Sequence, residues 1–178
     1  MTEQSLPSLP DRLRRIEVLL AEPLDFHATA PHTTERKVRL LSAVALYLNT
    51  VVLTDFGGRL GPERQEGLVE QIVGAAFQTF EDVDPHPKPF DKAAMLLRGI
   101  TQGHPFTDGN KRTGILLTGY YLERMGYPLP DPFPDEAIEK LTVRISAGQM
   151  RDIGEITQHL QRLWGTTERD EEELPPHE

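Results

Sequence analysis

The stretch His-Pro-Phe-Thr-Asp-Gly-Asn-Lys-Arg-Thr-Gly, from His104 to Gly114, constrains the fold more than any other part of the chain. It separates two apolar helical patterns. Phe90 to Ile100 is rich in Ala and Leu and stops at Gly103, and Ile115 to Met125 is apolar again and stops at Gly126. Glycine directly after a helix accepts the left-handed conformation at no Cβ cost, so both patterns end in a stop signal. His104 precedes a proline, which biases it away from the helical region. The segment reads as helix, tight loop, helix. Asp108-Gly109 turns the chain within the loop, and Asn110 is expected to cap the second helix.

On this reading Lys111 and Arg112 fall in the first turn of a helix. Cations there oppose the macrodipole, at about 0.3–1 kcal/mol each. Together with free backbone N–H groups they make a place for an anion such as phosphate. The alternative is that both side chains extend into solvent. The neighbouring residue types each suit phosphate chemistry. A histidine with a reference pKa of about 6.5 can accept a proton from a hydroxyl near neutral pH. An aspartate is a hard oxygen ligand for Mg2+, which keeps most of its waters and bridges phosphates. Gly109 admits a ligand close to the backbone. Asn110, Lys111 and Arg112 supply donors, and arginine grips phosphate oxygens bidentately. Phe106, between polar neighbours, is expected to anchor the loop in the core.

The chain has 178 residues and no cysteine, so one domain is expected, without disulfides or thiolate metal sites. Its boundaries are read as a loose N-terminus at 1–10, a helical domain at 11–164 and an acidic tail at 165–178. A net charge of −9 argues against general nucleic-acid binding. No stretch approaches eighteen apolar residues without a charge, so no membrane span is expected. Met-Thr-Glu-Gln-Ser at the start lacks a signal-peptide pattern, and a cytoplasmic location is the default expectation.

Helices are predicted over Asp11–Ala21, from Thr33 or Thr34 to about Thr54, over Arg64–Phe80, from Phe90 or Asp91 to the loop, over Thr113–Met125 as the central helix, and over Asp135–Ala147 and Arg151–Trp164. In the second, Val38, Leu41, Val44, Ala45, Leu48 and Val52 repeat at three- and four-residue spacing, the mark of a buried stripe. Tyr47 and Asn49 on that helix are read as packing or surface residues ahead of a functional role. Asp55 to Pro62, with three glycines, is a loop. Gly119 in a helix interior implies a close neighbour. His27, His32 and His86 lie in connectors and are expected in solvent; no H-E-x-x-H pattern occurs.

His104-Pro-Phe-Thr-Asp-Gly-Asn-Lys-Arg112 resembles the signature of the Fic/Doc family, H-P-F-x-[D/E]-G-N-[G/K]-R. The likeness runs from about Val44 to Tyr127, and the Lys111 form is similar to the Doc (death-on-curing) toxin branch. It implies an all-α fold, an orthogonal bundle of about seven helices with a short flap loop or hairpin around Gly57-Gly58. It implies His104 as the base that deprotonates a target-protein hydroxyl, with a translation factor among the possible targets. Asp108 would hold Mg2+ on the phosphates of ATP or another NTP. Gly109 and Asn110 would form the anion hole, and Arg112 would stabilise phosphate charge. Gly57 and Gly58 would form a flap that pairs with the target backbone, or else a plain turn. Lys111 occupies the space that AMP-transferring relatives keep small, which favours phosphoryl transfer over adenylylation. A toxin of this branch implies a separate antitoxin.

Family members are often restrained by [S/T]-x-x-x-E-[G/N]. Thr167 and Glu171 have that spacing, but Glu172 stands where Gly or Asn is expected, and the acidic composition reads as a solvated tail. A P-loop is excluded, because Gly103 and Gly109 do not frame G-x-x-x-x-G-K-[S/T]. Two alternatives stay open: an adenylyltransferase in which Lys111 swings aside, and a non-catalytic binding module on the same scaffold.

Overall fold

The computed structural model describes residues 8–166. Within them are seven α-helices and no strand: α1 Leu9–Leu19, α2 Pro31–Phe56, α3 Leu68–Ala75, α4 Pro89–Gly103, α5 Asn110–Arg124, α6 Asp135–Ser146 and α7 Ile153–Trp164. The all-α expectation and the helix number hold. The flap region is a loop rather than a hairpin, and the acidic tail from Thr167, read as solvated, lies outside the described residues.

Helix α4 is central, packing against α3, α5, α6 and α7, while α2 packs against α1, α3 and α5. Leu40, Leu41, Ala45 and Val52 of α2 are fully buried, as are Leu96, Leu97 and Ile100 of α4 and Leu117 and Leu122 of α5. Full burial of each large aliphatic or aromatic side chain is worth about 1.5–3 kcal/mol. Helix α2 has 26 residues and is long and apolar enough to cross a membrane by length and composition. Its apolar run carries the buried stripe that the sequence predicts. Here that run is a wall of the core. Around Tyr121 the rings of Phe26 and Phe77 pack at 6.4 and 5.9 Å. Trp164 stands edge-on to Phe90 at 6.5 Å, closing the edge of the core as expected.

Several boundaries differ from the sequence reading. Helix α1 starts earlier because Ser8 and Asp11 form a reciprocal capping box. Of its apolar residues only Ile16 is buried, and Leu13 and Leu20 are exposed. Helix α3 is much shorter than Arg64–Phe80. Its phase is set by left-handed Gly67, and the Glu63 carboxylate accepts the N–H of Val69 at 2.7 Å. The buried face is therefore Val69, Val73, Ala76 and Phe77, and Phe80 is exposed. Phe80 instead opens a reverse turn with Val83, each N–H donating to the other's carbonyl at 2.8 Å.

The α4–α5 crossing carries the site, and it depends on glycine. A Cβ on Gly114 would sit 2.7 Å from the Thr101 hydroxyl. Gly119 likewise faces Leu129, which would lie 2.8 Å from an added Cβ, the close neighbour predicted for it.

Lys37 is buried, and its ammonium donates to the carbonyls of Phe26 and Ala28, tying the connector before α2 to that helix. Burial, with nearby Lys92 adding to it, lowers its pKa from 10.5 to about 8. A neutral amine still has two N–H donors for those two carbonyls. Below about pH 8 both folded and unfolded chains hold the proton, and the fold bears the cost of the buried charge. Between about 8 and 10.5 the folded chain gives it up first, so this group adds stability as pH rises.

Two outcomes follow. Gly114→Ala should lose about 1–3 kcal/mol in urea unfolding, and Thr101→Ala in the same chain should recover most of it. An unchanged midpoint in the single variant would contradict the crossing described. The melting temperature of the unmutated protein, relative to Lys37→Met, should rise from pH 7.5 to pH 10. A flat or falling difference would contradict the burial argument.

Candidate active site

The signature loop leaves α4 at His104, which is left-handed with φ 46° and ψ 54°. Gly103 stays inside the helix, so the expected glycine stop is performed by the histidine instead. The reason is Pro105, whose ring crowds a right-handed residue before it. A left-handed non-glycine residue costs about 1–3 kcal/mol, and such strain gathers at functional sites. The imidazole is half-buried.

Asn110 does not cap α5, contrary to the sequence reading. It is the first helical residue, and left-handed Gly109 (φ 77°) occupies the cap position. The Asn110 amide turns back into the loop. It accepts the N–H of Phe106 at 3.0 Å and donates to the Phe106 carbonyl at 2.9 Å. Phe106 is 2 % exposed, the anchor expected of it. The loop is thus closed by a side chain that matches both polar groups of one buried peptide unit.

The consequence for α5 is electrostatic. No side chain caps it and no acidic residue lies in its first turn. Among the described residues no hydrogen bond takes up the N–H groups of Asn110, Lys111 and Arg112. Lys111 and Arg112 are exposed, and no described carboxylate lies within ion-pair distance of either. Arg112 instead has its guanidinium 5.0 Å from the ring centre of Phe56, at the end of α2. Free N–H groups, the positive end of the dipole and two unneutralised cations converge on one place.

Asp108 is exposed. One carboxylate oxygen accepts the N–H of Gly109 at 2.7 Å, and the other that of Arg59 at 3.4 Å. Among the described residues no group of three His, Asp or Glu could form a metal cage. A lone carboxylate beside an anion site suits Mg2+, which is held by one or two carboxylates plus substrate phosphates. The residues therefore fit the cation.

Sequence reasoning missed Asn49. It is 5 % exposed, and its amide donates to the Asp108 carbonyl at 2.9 Å and the Thr113 hydroxyl at 3.1 Å. This one side chain, reaching from α2, joins the loop to the start of α5. The available signal was an amide interrupting the apolar stripe between Ala45 and Val52. Phe56 and Arg59 were also missed, because their contacts are made across the fold. The predicted flap lies against the loop: Arg59 N–H donates to the Asp108 carboxylate at 3.4 Å and Gly58 approaches it, and beyond the flap Arg64 N–H donates to the Pro105 carbonyl at 2.8 Å.

Fold and site together define a helical protein with one helix N-terminus that lacks a side-chain cap and carries two cations, and a histidine on the preceding loop. Residues 39–122, just under half of the chain, match the model of the Fic/DOC family. It is 36 % identical over 86 residues to Toxin Doc of Mycolicibacterium smegmatis, a match spanning 48 % of this chain and 65 % of that protein. It is 26 % identical over 125 residues to Protein kinase doc of Escherichia phage P1, spanning 68 % and 91 %. Protein adenylyltransferase fic-1 of Caenorhabditis briggsae is 27 % identical over 96 residues, spanning 54 % of this chain and 19 % of the relative.

Asn110→Ala should lower unfolding free energy by about 1–3 kcal/mol, since it strands two polar groups of buried Phe106. An unchanged urea midpoint would show that the loop does not depend on this contact.

Proposed function

We propose that the chain is a Fic/Doc-type transferase that moves a phosphoryl group from ATP or another NTP to a hydroxyl of a target protein. The observation that carries this reading is the uncapped N-terminus of α5, with three N–H groups and two cations lacking acidic partners among the described residues. The His104 imidazole takes the proton of the target hydroxyl. The hydroxyl oxygen attacks the γ-phosphorus, the bond to the β–γ bridging oxygen breaks, and ADP leaves. The N–H groups of Asn110, Lys111 and Arg112, with the two cationic side chains, bind the phosphates and stabilise charge as it shifts to the leaving oxygen. The Asn110 side chain keeps this pocket in shape. Mg2+ on Asp108 would supply further charge neutralisation at the phosphates.

Lys111 supports phosphoryl transfer, since a lysine at this position would occupy space at the phosphate end of the site. The Doc names among the relatives support the same branch and a toxin role, with a separate antitoxin chain as the restraining partner. A cytoplasmic site of action, with its supply of ATP, is part of this proposal. Adenylyl transfer is the second reading, favoured by the likeness to the adenylyltransferases of Caenorhabditis briggsae and Caenorhabditis elegans.

Incubation with host lysate and ATP labelled at the α or γ phosphate tests the reading. We expect γ-label on protein, lost in His104→Ala while the melting temperature holds. α-Label would replace it with the adenylyl reading. Absence of both labels, or label unaffected by the variant, would overturn the assigned chemistry.

A further inference from the structure

The flap and the carboxylate assigned to the cation are in direct contact. Gly58 has φ 139°, and a Cβ added there would sit 2.8 Å from the Asp108 carboxylate oxygen Oδ2 and 2.6 Å from Leu53 Cδ2. The next residue, Arg59, donates its N–H to that same oxygen at 3.4 Å. The other oxygen is held by Gly109 N–H at 2.7 Å. Gly61 is also tight against the loop, with the Thr107 hydroxyl 2.9 Å from an added Cβ. By contrast Gly57, one residue earlier and also left-handed at φ 74°, has nothing within 4 Å of an added Cβ. Two adjacent glycines thus have different work: Gly57 turns the chain, and Gly58 lets the main chain reach Asp108.

The geometry points to Gly58 and the Arg59 N–H as positioning groups for the cation-binding carboxylate of Asp108. This rests on the assignment of Asp108 in the proposed function. A carboxylate with one N–H on each oxygen is fixed in orientation and keeps lone pairs for a metal. Outer partners of this kind tune metal affinity about 10–100-fold. The flap is therefore part of the Mg2+–nucleotide site as well as a surface for the target. Because binding free energies are reciprocal, a segment that alters the flap on docking changes Mg2+–nucleotide affinity by the factor that nucleotide changes docking.

The test measures affinity for a non-hydrolysable ATP analogue, with Mg2+ and with EDTA, in the unmutated protein, Gly57→Ala and Gly58→Ala. The expected result is that Mg2+ tightens binding in the unmutated protein and in Gly57→Ala, and that Gly58→Ala loses about tenfold or more of that gain. Its affinity in EDTA should stay unchanged. An equal gain in all three, or equal loss in both variants, would overturn the positioning role. Nucleotide bound with no gain from Mg2+ in the unmutated protein would overturn it too, with the Asp108 assignment. No nucleotide binding by the unmutated protein would overturn the proposed function itself. Amide exchange at Arg59 in the unmutated protein is independent of how the variants fold. Analogue with Mg2+ should slow it and analogue with EDTA should not; equal rates would overturn the inference.

Discussion

The site depends on where one amide side chain spends its hydrogen bonds. Asn110 could have capped α5. It bonds both polar groups of Phe106 instead, at 3.0 and 2.9 Å. That choice has two effects at once. It locks the loop onto a buried ring, and it leaves the helix N-terminus without an internal acceptor. A helix that starts with lysine and arginine and lacks any cap is a poor structural design and a good anion receptor. The surrounding bundle supplies the stability that this arrangement gives away.

The rest of the fold holds that arrangement in register. Helix α4 delivers His104, and α5 begins six residues later, so their crossing fixes histidine and N–H groups relative to each other. Gly114 lets the two helices meet at the Thr101 hydroxyl. Asn49 ties the loop and the α5 start to α2. Phe56, at the far end of α2, takes the face of the Arg112 guanidinium. Cation–π contact at an exposed ring is worth about 0.5–1 kcal/mol, enough to bias the side chain yet weak enough to yield to phosphate.

Much of this was legible in the residues. The apolar spacing of α2, the two helices flanking the loop, the anchoring Phe106 and the cations at the α5 start all follow from local pattern. What local pattern could not reveal was the partner across the fold. Asn110 reads as a cap because its competitor, the Phe106 peptide, is brought back to it only by the closed loop. Asn49 reads as an ordinary packing or surface residue because its acceptors lie on another helix and loop. The long helix expected up to Phe80 fails for a related reason. Its periodicity is continuous, but Gly67 and the Phe80–Val83 turn reset the backbone at both ends. His104 shows the opposite case: proline next to it announced the break, and only the sign of φ was hidden.

The most direct measurement is an amide chemical-shift titration with a non-hydrolysable ATP analogue. The account predicts that the backbone resonances of Asn110, Lys111 and Arg112 move together and saturate at one ligand concentration. Shifts confined to other parts of the chain, with those three amides unmoved, would contradict it.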